Sequence, residues 1–327
     1  MASENPRLGF IGMGGMGSRM AARLLAAGYD LTTYNRHRER ARVLEKQGAK
    51  IAAQPGELAA HADIVLSSLA DDVAVENVML GPGGALAAAR PGTVFIGMST
   101  VSPSLSRRLH DLAHEKGIFV LDAPVSGTTT VAEKGELVIF VGGDKAAYER
   151  CLPVLKVLGR VAHYMGPAGS GAAMKLCANT LLGLGMQALA EAVAFGLKAG
   201  LARERLLEVL AATAVVSPSQ KSKLDNVLNE AYPPAFPLRL MLKDYNLILD
   251  TAMALRVAMP ATAAAEQVSA AELARQSGAG RDEDFSSVVR AMEQSPIRDP
   301  QASASISPRS PQSGTASPAV ESPGRRR

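Results

Sequence analysis

Leu8-Gly9-Phe10-Ile11-Gly12-Met13-Gly14-Gly15-Met16-Gly17 opens the patterned part of the chain and decides how the rest is read. The apolar run Leu8–Ile11 is too short for a helix and ends on glycine, so it reads as a buried strand. Behind it Gly12, Gly14 and Gly17 form a GxGxxG that leads into an Ala/Leu-rich stretch of helical period, Met16–Ala27. Gly12 permits the tight turn, Gly14 lets the backbone approach a pyrophosphate, and Gly17 allows close packing of helix on strand, with the phosphates at the helix N-terminus. The motif alone is weak; its strand–turn–helix setting makes it a dinucleotide site, with Met13 and Met16 of the same loop included in the expected cofactor contacts.

Outward from this unit the same theme recurs. Candidate strands are Leu8–Ile11, Leu31–Tyr34, Ile64–Leu69, Val94–Ile96, Ile118–Leu121 and Leu137–Val141, with helices read at Met16–Ala27, Arg38–Gln47 and Ser104–Lys116. The alternation predicts an α/β fold, a Rossmann-type doubly wound parallel sheet with helices on both faces. After Gly166 strand signals stop. Gly169–Gly200 reads as one long helix, apolar nearly all round and so buried on several sides. Further helices are expected at Ala202–Ala212, Gln220–Asn229, Pro237–Ala254 and Met259–Ser277. The predicted organisation is a cofactor-binding domain over 1–166, an all-helical substrate and oligomerisation domain over 167–294, and a disordered Ser/Pro/Arg tail over 295–327, too poor in apolar residues to offset its ordering entropy.

Composition excludes several classes. With 327 residues, 47% hydrophobic and 20% charged, the chain is long enough for two globular domains. Its formal charge of +4 is inflated by Arg309, Arg325, Arg326 and Arg327, so no nucleic-acid partner is expected. Cys151 and Cys177 are the only cysteines, without CxxC or His-rich spacing, which argues against a disulfide framework and a metal site. The N-terminus lacks a signal-peptide pattern, and no stretch is expected to be apolar enough to span a bilayer, so a cytoplasmic protein without a membrane partner is the expectation.

NAD-preferring sites place a carboxylate at the end of the second strand. Here Tyr34-Asn35-Arg36 stands there, followed by Arg38 and Arg40. The missing carboxylate and the nearby guanidinium groups favour a 2′-phosphate, hence NADP(H), with NAD(H) still open. The competing reading, a solvated face of the next helix, suits Arg40 better than Arg36. Asn35 and Arg36, with Leu69 and Ala70 at the end of the third strand, extend the cofactor-binding set.

Lys175 and Asn179 lie four residues apart on one face of the long apolar helix. An isolated lysine is usually a snorkelling surface residue. In a buried helix beside an amide it can instead polarise a carbonyl and supply its proton.

Five ordered segments carry a family resemblance: Gly9–Gly17, Met98–Pro103 (MSTVSP), Asp122–Leu137 (DAPVSGTTTVAEKGEL), Gly169–Asn179 (GSGAAMKLCAN) and Phe236–Leu249 (FPLRLMLKDYNLIL). From Arg7 to Met292 the chain resembles the β-hydroxyacid dehydrogenase family, which includes 3-hydroxyisobutyrate dehydrogenases, tartronate semialdehyde reductases and glyoxylate/succinic semialdehyde reductases. The resemblance implies that Lys175 is the catalytic proton donor and that Asn179 assists it. It places Ser126, Gly127 and Thr128 in a turn that binds the substrate carboxylate, and Thr100 near both nicotinamide and substrate. Lys243 and Asp244 match a Lys-Asp pair that closes over cofactor and active site, and Phe236 an aromatic active-site residue. Taken alone, Phe236 reads as core, Asp244 as a surface ion-pair partner of Lys243, and Ser126 as a turn former.

Departures from the pattern bear on substrate. Thr128 and Val131 stand where many relatives have glycine, Ala178 where many have a first asparagine, and Gly97 where aspartate is frequent. The Ser126–Gly135 run and Phe236–Arg239 are closer to the glyoxylate/succinic semialdehyde reductase pattern than to 3-hydroxyisobutyrate enzymes. The leading expectation is therefore NADPH-dependent reduction of a small carboxylate-bearing aldehyde, or the reverse oxidation of a hydroxy acid. Alternatives are a 3-hydroxyisobutyrate or tartronate semialdehyde-type dehydrogenase, an imine reductase, against which Lys175 argues, and a non-catalytic NADP-binding interaction protein. The long buried helix does not complete its own core, which predicts a homodimer or homotetramer.

Overall fold

In the computed structural model, which describes residues 5–294, the first strand, β1 (Leu8–Ile11), is buried at every position and pairs in parallel with both neighbours. The other strands are β2 (Leu31–Tyr34), β3 (Lys50–Ile51), β4 (Ile64–Ser67), β5 (Val94–Gly97), β6 (Phe119–Asp122), β7 (Val125–Ser126), β8 (Leu137–Gly142) and β9 (Gly159–Gly166). They form one sheet of order β3-β2-β1-β4-β5-β6-β8-β7, with β9 also on β8. The first six are parallel in the 3-2-1-4-5-6 order of dinucleotide-binding folds. The antiparallel turn comes after β6, where Asp122 pairs with Gly142.

Helices in the same region are α1 (Gly15–Ala26), α2 (Arg42–Glu45), α3 (Pro55–His61), α4 (Asp72–Leu80), α5 (Ala85–Ala88), α6 (Pro103–His114), α7 (Thr129–Lys134) and α8 (Lys145–Leu158). The two-residue period of the strands sorts their side chains onto two cores. Leu8, Phe10, Leu66 and Ile96 meet Met20 and Leu24 of α1 and Val154 and Leu158 of α8 on one face. Ile11, Val65, Phe95 and Val120 meet Leu58 of α3, Met79 of α4 and Leu105 of α6 on the other. Strands covered on both faces need continuous apolar runs, as the sequence has.

Then come α9 (Ser170–Lys198), α10 (Arg203–Ala212), α11 (Pro218–Lys221), α12 (Leu224–Leu228), α13 (Leu238–Leu255), α14 (Pro260–Gly278) and α15 (Val288–Gln294). A third core joins Leu176, Met186 and Val193 of α9 to Leu207, Val227, Met241, Tyr245 and Val289. Residues through Glu293 form a single contact unit. The tail expected over 295–327 lies outside the described residues.

Several expectations are corrected. α9 is, by length and composition, apolar enough to cross a membrane, contrary to the reading that no stretch is; its buried face is the spine of the third core. The helix expected over Arg38–Gln47 is a 3₁₀ turn at Arg38–Arg40 followed by the short α2. Only Ala41 and Leu44 of this segment reach the core, too little to propagate a longer helix. The helix expected over Gln220–Asn229 is two pieces, because Lys223 between them is drawn to the buried carboxylate of Asp284, 2.8 Å from its Nζ.

Candidate active site

The glycine loop gives each of its glycines a different task. Gly12 has φ +99°, and a Cβ there would lie 2.2 Å from the Ser68 carbonyl oxygen. A Cβ on Gly17 would lie 1.9 Å from the Gly12 oxygen, so only glycine lets α1 sit this close to β1. Around Gly14 there is nothing within 4 Å of an added Cβ. Gly14 is the N-cap of α1 and no side chain caps that helix, whose first N–H groups therefore face an open space. A concave backbone at an uncapped helix N-terminus fits a dinucleotide pyrophosphate.

Around this loop the expected cofactor residues take distinct places. Met13 is buried in the core, and its N–H donates to Asn35 Oδ1 at 2.9 Å. Asn35 Nδ2 donates to the His37 carbonyl at 2.8 Å, so this amide braces the glycine loop against the turn after β2. Met16 packs partly buried on the same core. Arg36, Arg38 and Arg40 are exposed and form no ion pair among the described residues, leaving their guanidinium groups available beyond the β2 end. The Leu69 N–H donates to Ser99 Oγ at 2.8 Å, and Ala70 lies exposed beyond β4.

Lys175, Asn179, Asp244, Lys243 and Thr100 come together. Lys175 and Asn179 project from adjacent turns near the start of α9, and α13 crosses it to bring up Lys243 and Asp244. Asn179 and Asp244 are each 2% exposed, and Asn179 Nδ2 donates to Asp244 Oδ2 at 2.5 Å. Lys243 Nζ donates to the Thr100 carbonyl at 2.7 Å, tying α13 to the loop after β5. It also lies 2.8 Å from Asp244 Oδ1, off the hydrogen-bonding direction, so that buried oxygen accepts no hydrogen bond among the described residues. Asp244 is thus no surface ion-pair partner, as its sequence position alone suggests. Burial pushes the Lys175 ammonium down to about 8, with the Asp244 carboxylate opposing the shift and the Lys243 cation adding to it. A group with that pKa exchanges protons near neutral pH.

Ser126 ends β7, paired with Val138 of β8. Gly127 follows with φ +143°, where a Cβ would press on Val131 and Leu137, and Thr128 N-caps α7 by accepting from the Val131 N–H at 3.4 Å. The N–H groups of Gly127 and Thr128 donate to nothing among the described residues. Phe236 is half-buried and packs edge-on to Phe285, ring centroids 5.5 Å apart. Its N–H donates to Asp284 Oδ2 at 2.9 Å.

Three polar residues in this framework escape the sequence reading. Asp122 accepts from the N–H groups of Gly169 and Ala172 at the start of α9, Ser99 holds the Leu69 backbone, and Asp284 gathers Lys223 and the Phe236 backbone. Each acts across a long stretch of chain, so no local spacing announces it.

Two sequence families match the chain: residues 7–166 match the NAD binding domain of 6-phosphogluconate dehydrogenase, and residues 169–292 the NAD-binding domain of NADP-dependent 3-hydroxyisobutyrate dehydrogenase. Among curated proteins it is 38% identical to 2-(hydroxymethyl)glutarate dehydrogenase of Eubacterium barkeri, over 88% of this chain and 95% of that protein. It is 36% identical to the chloroplastic glyoxylate/succinic semialdehyde reductase 2 of Arabidopsis thaliana, over 89% and 81%. Among solved structures, 3-hydroxyisobutyrate dehydrogenase of Mycobacterium tuberculosis, studied with L-serine, superposes with a TM-score of 0.77 at 31% identity, covering 88% of this chain and 99% of that one. With a glycine-rich turn at the head of a 3-2-1-4-5-6 sheet and matches over nearly all of the described residues, the chain belongs to the 3-hydroxyisobutyrate dehydrogenase-like β-hydroxyacid dehydrogenase family, oxidoreductases that act on CH–OH groups with NAD(P).

Proposed function

We propose that this enzyme reduces the carbonyl of a short aldehyde acid, of the glyoxylate or succinic semialdehyde kind, with NADPH, and oxidises the corresponding hydroxy acid in reverse. The observation that carries the reading is Lys175, partly buried with a pKa near 8 and set beside the Asn179–Asp244 pair.

NADPH, held by the Gly12–Gly17 loop with Arg36 toward its 2′-phosphate, supplies the hydride when bound. Lys175 gives its Nζ proton to the carbonyl oxygen as negative charge develops there, and recovers it from the hydroxyl in the reverse direction. Asp244 stabilises the cationic form of Lys175 and fixes the Asn179 amide through Nδ2, leaving its second N–H for the same oxygen. The substrate carboxylate is held by the Ser126 hydroxyl and the unpaired N–H groups of Gly127 and Thr128, an arrangement suited to an anion. Phe236 supplies an apolar wall, and Lys243, through Thr100, holds α13 against the loop after β5.

The same proposal includes the division into a cofactor part (1–166) and a helical part (167–294), a cytoplasmic location, and a homodimer or homotetramer. The separate apolar core of the helical part supports the first. Leu181 and Phe195 of α9, 77% and 78% exposed, support self-association.

The test is NADPH and NADH oxidation with glyoxylate, succinic semialdehyde, tartronate semialdehyde, methylmalonate semialdehyde and a cyclic imine, for the wild type and Lys175→Ala. Turnover of glyoxylate or succinic semialdehyde with NADPH, falling about 10²–10⁴-fold in the variant, is expected. Preference for the imine, or a variant as fast as the wild type, overturns the reading.

A further inference from the structure

Asp122, the last residue of β6, is 5% exposed, and its carboxylate faces the start of α9. Oδ1 accepts from the Gly169 N–H at 2.8 Å and Oδ2 from the Ala172 N–H at 2.7 Å. Gly169, the N-cap of α9, has no side chain to do this, and the first turn of α9 contains no acidic residue. The longest helix of the described chain is therefore capped by a carboxylate 47 and 50 residues earlier in sequence.

A cap supplied by a helix's own N-cap residue satisfies N–H groups wherever the helix lies. A cap supplied by a strand also fixes where the helix lies on that strand. The approach is close: a Cβ on Gly171 would sit 2.3 Å from the Phe140 oxygen and 2.5 Å from the Asp122 oxygen, and one on Gly142 would sit 2.7 Å from Asp122 Oδ1. Along the chain, Lys175 follows Ala172 by less than one helical turn, and Ser126 follows Asp122 across Ala123-Pro124-Val125. Asp122 is thus the shared fixed point of the segment that presents Ser126 and the helix that presents Lys175.

We propose that Asp122 is a positioning residue for the reaction, its carboxylate setting the separation between the carboxylate-binding turn at Ser126 and the ammonium of Lys175. The proposal rests on the reading of Lys175 as proton donor and Ser126 as anchor. Burial raises the Asp122 carboxyl above its ordinary range, while the N–H groups of Gly169, Ala172 and Gly171 oppose that shift. Asp122 holds backbone N–H groups of α9 and not the Lys175 side chain, so it reaches Lys175 through backbone placement.

Asp122→Asn keeps the volume but turns an NH₂ group toward one of the two N–H donors. In the full-length enzyme the expected result is a kcat lower by about 100-fold, the loss that a displacement near 1 Å causes, with a raised KM for the aldehyde. The Kd for NADPH stays at the wild-type value, and the pH–rate break near 8 stays in place. Wild-type kcat and KM overturn the proposal. So does a shifted break, which means that Asp122 acts by charge, and so does a loss that disappears when kcat is expressed per NADPH-binding site, which means that Asp122 only supports folding. Gly169→Ala is the second variant, because its Cβ would lie 2.9 Å from the Pro103 carbonyl oxygen at φ +88° and displaces the start of α9 from the Asp122 carboxylate while leaving that side chain intact. The same signature is expected there, and an unchanged kcat overturns the proposal even if Asp122→Asn does not fold. Lys175→Ala separates the two levels: full activity in that variant sinks the proton-donor reading, whereas its loss beside a normal Asp122→Asn sinks the positioning role alone.

Discussion

Replacing Gly14 and Gly17 by alanine, one at a time, separates what the glycine loop does for the fold from what it does for the cofactor. Gly17→Ala would place a Cβ 1.9 Å from the Gly12 carbonyl oxygen, a backbone atom that cannot swing aside. Overpacking of this kind costs about 1–3 kcal/mol. At about 2–4 °C of Tm per kcal/mol for a chain of this size class, Tm falls by about 2–12 °C. In Gly14→Ala the new methyl meets no protein atom within 4 Å, and the backbone there, φ −77° and ψ −171°, suits alanine. The folded state of this variant meets no clash, and the entropy lost from its unfolded chain is offset by alanine's poorer fit at a helix N-cap, so its Tm stays close to that of the wild type. The added methyl instead occupies the space in front of the α1 N-terminus. If the pyrophosphate sits there, the same overpacking cost falls on binding, and NADPH affinity drops about 5- to 150-fold. Thermal unfolding without cofactor and NADPH titration by fluorescence measure the two effects. A Gly14→Ala variant destabilised as much as Gly17→Ala, or one that binds NADPH as the wild type does, refutes this division of roles.

Other perturbations follow from the same geometry. Asp244→Asn removes the carboxylate that raises the Lys175 pKa, so the break in the pH–rate profile of reduction moves below 8 and the rate at neutral pH falls. Arg36→Ala raises the KM for NADPH about tenfold and leaves that for NADH unchanged, as steady-state kinetics with both cofactors will report. Asp284→Asn leaves the Lys223 ammonium without its carboxylate in a site where the two side chains are 10% and 0% exposed. It lowers stability by about 3–5 kcal/mol in denaturant unfolding and loosens the Phe236 backbone that Asp284 holds.

How much of this was legible in the sequence follows from how local each signal is. The glycine loop is read from one strand and one helix, whose contact explains the glycines at Gly12 and Gly17, while Gly14 borders open space. α9 is legible because its apolar run is continuous, and Lys175 and Asn179 stand out against it at helical spacing. Other elements give weaker signals. β3 has only two residues, β9 reads Arg-Val-Ala-His-Tyr-Met without alternation, and Pro153 inside α8 looks like a helix breaker. The burial of Asp244 is set by the crossing of α13 on α9, so spacing alone leaves it looking like a surface residue. The roles of Asp122 and of Asn35 as a brace of the glycine loop are harder still, because the N–H groups they hold lie far off in the chain and carry no side-chain signature.

In the proposed reaction Lys175 exchanges the proton. The most direct test is the pH dependence of kcat/KM in both directions, for the wild type and Lys175→Ala. Reduction needs the protonated amine, so its rate is level below a pKa of about 8 and falls above it, while oxidation needs the free amine and rises through the same pH. Mirrored breaks are expected in the wild type, and their loss in the residual activity of Lys175→Ala. Parallel profiles in the two directions, or a break that survives in Lys175→Ala, contradict that role.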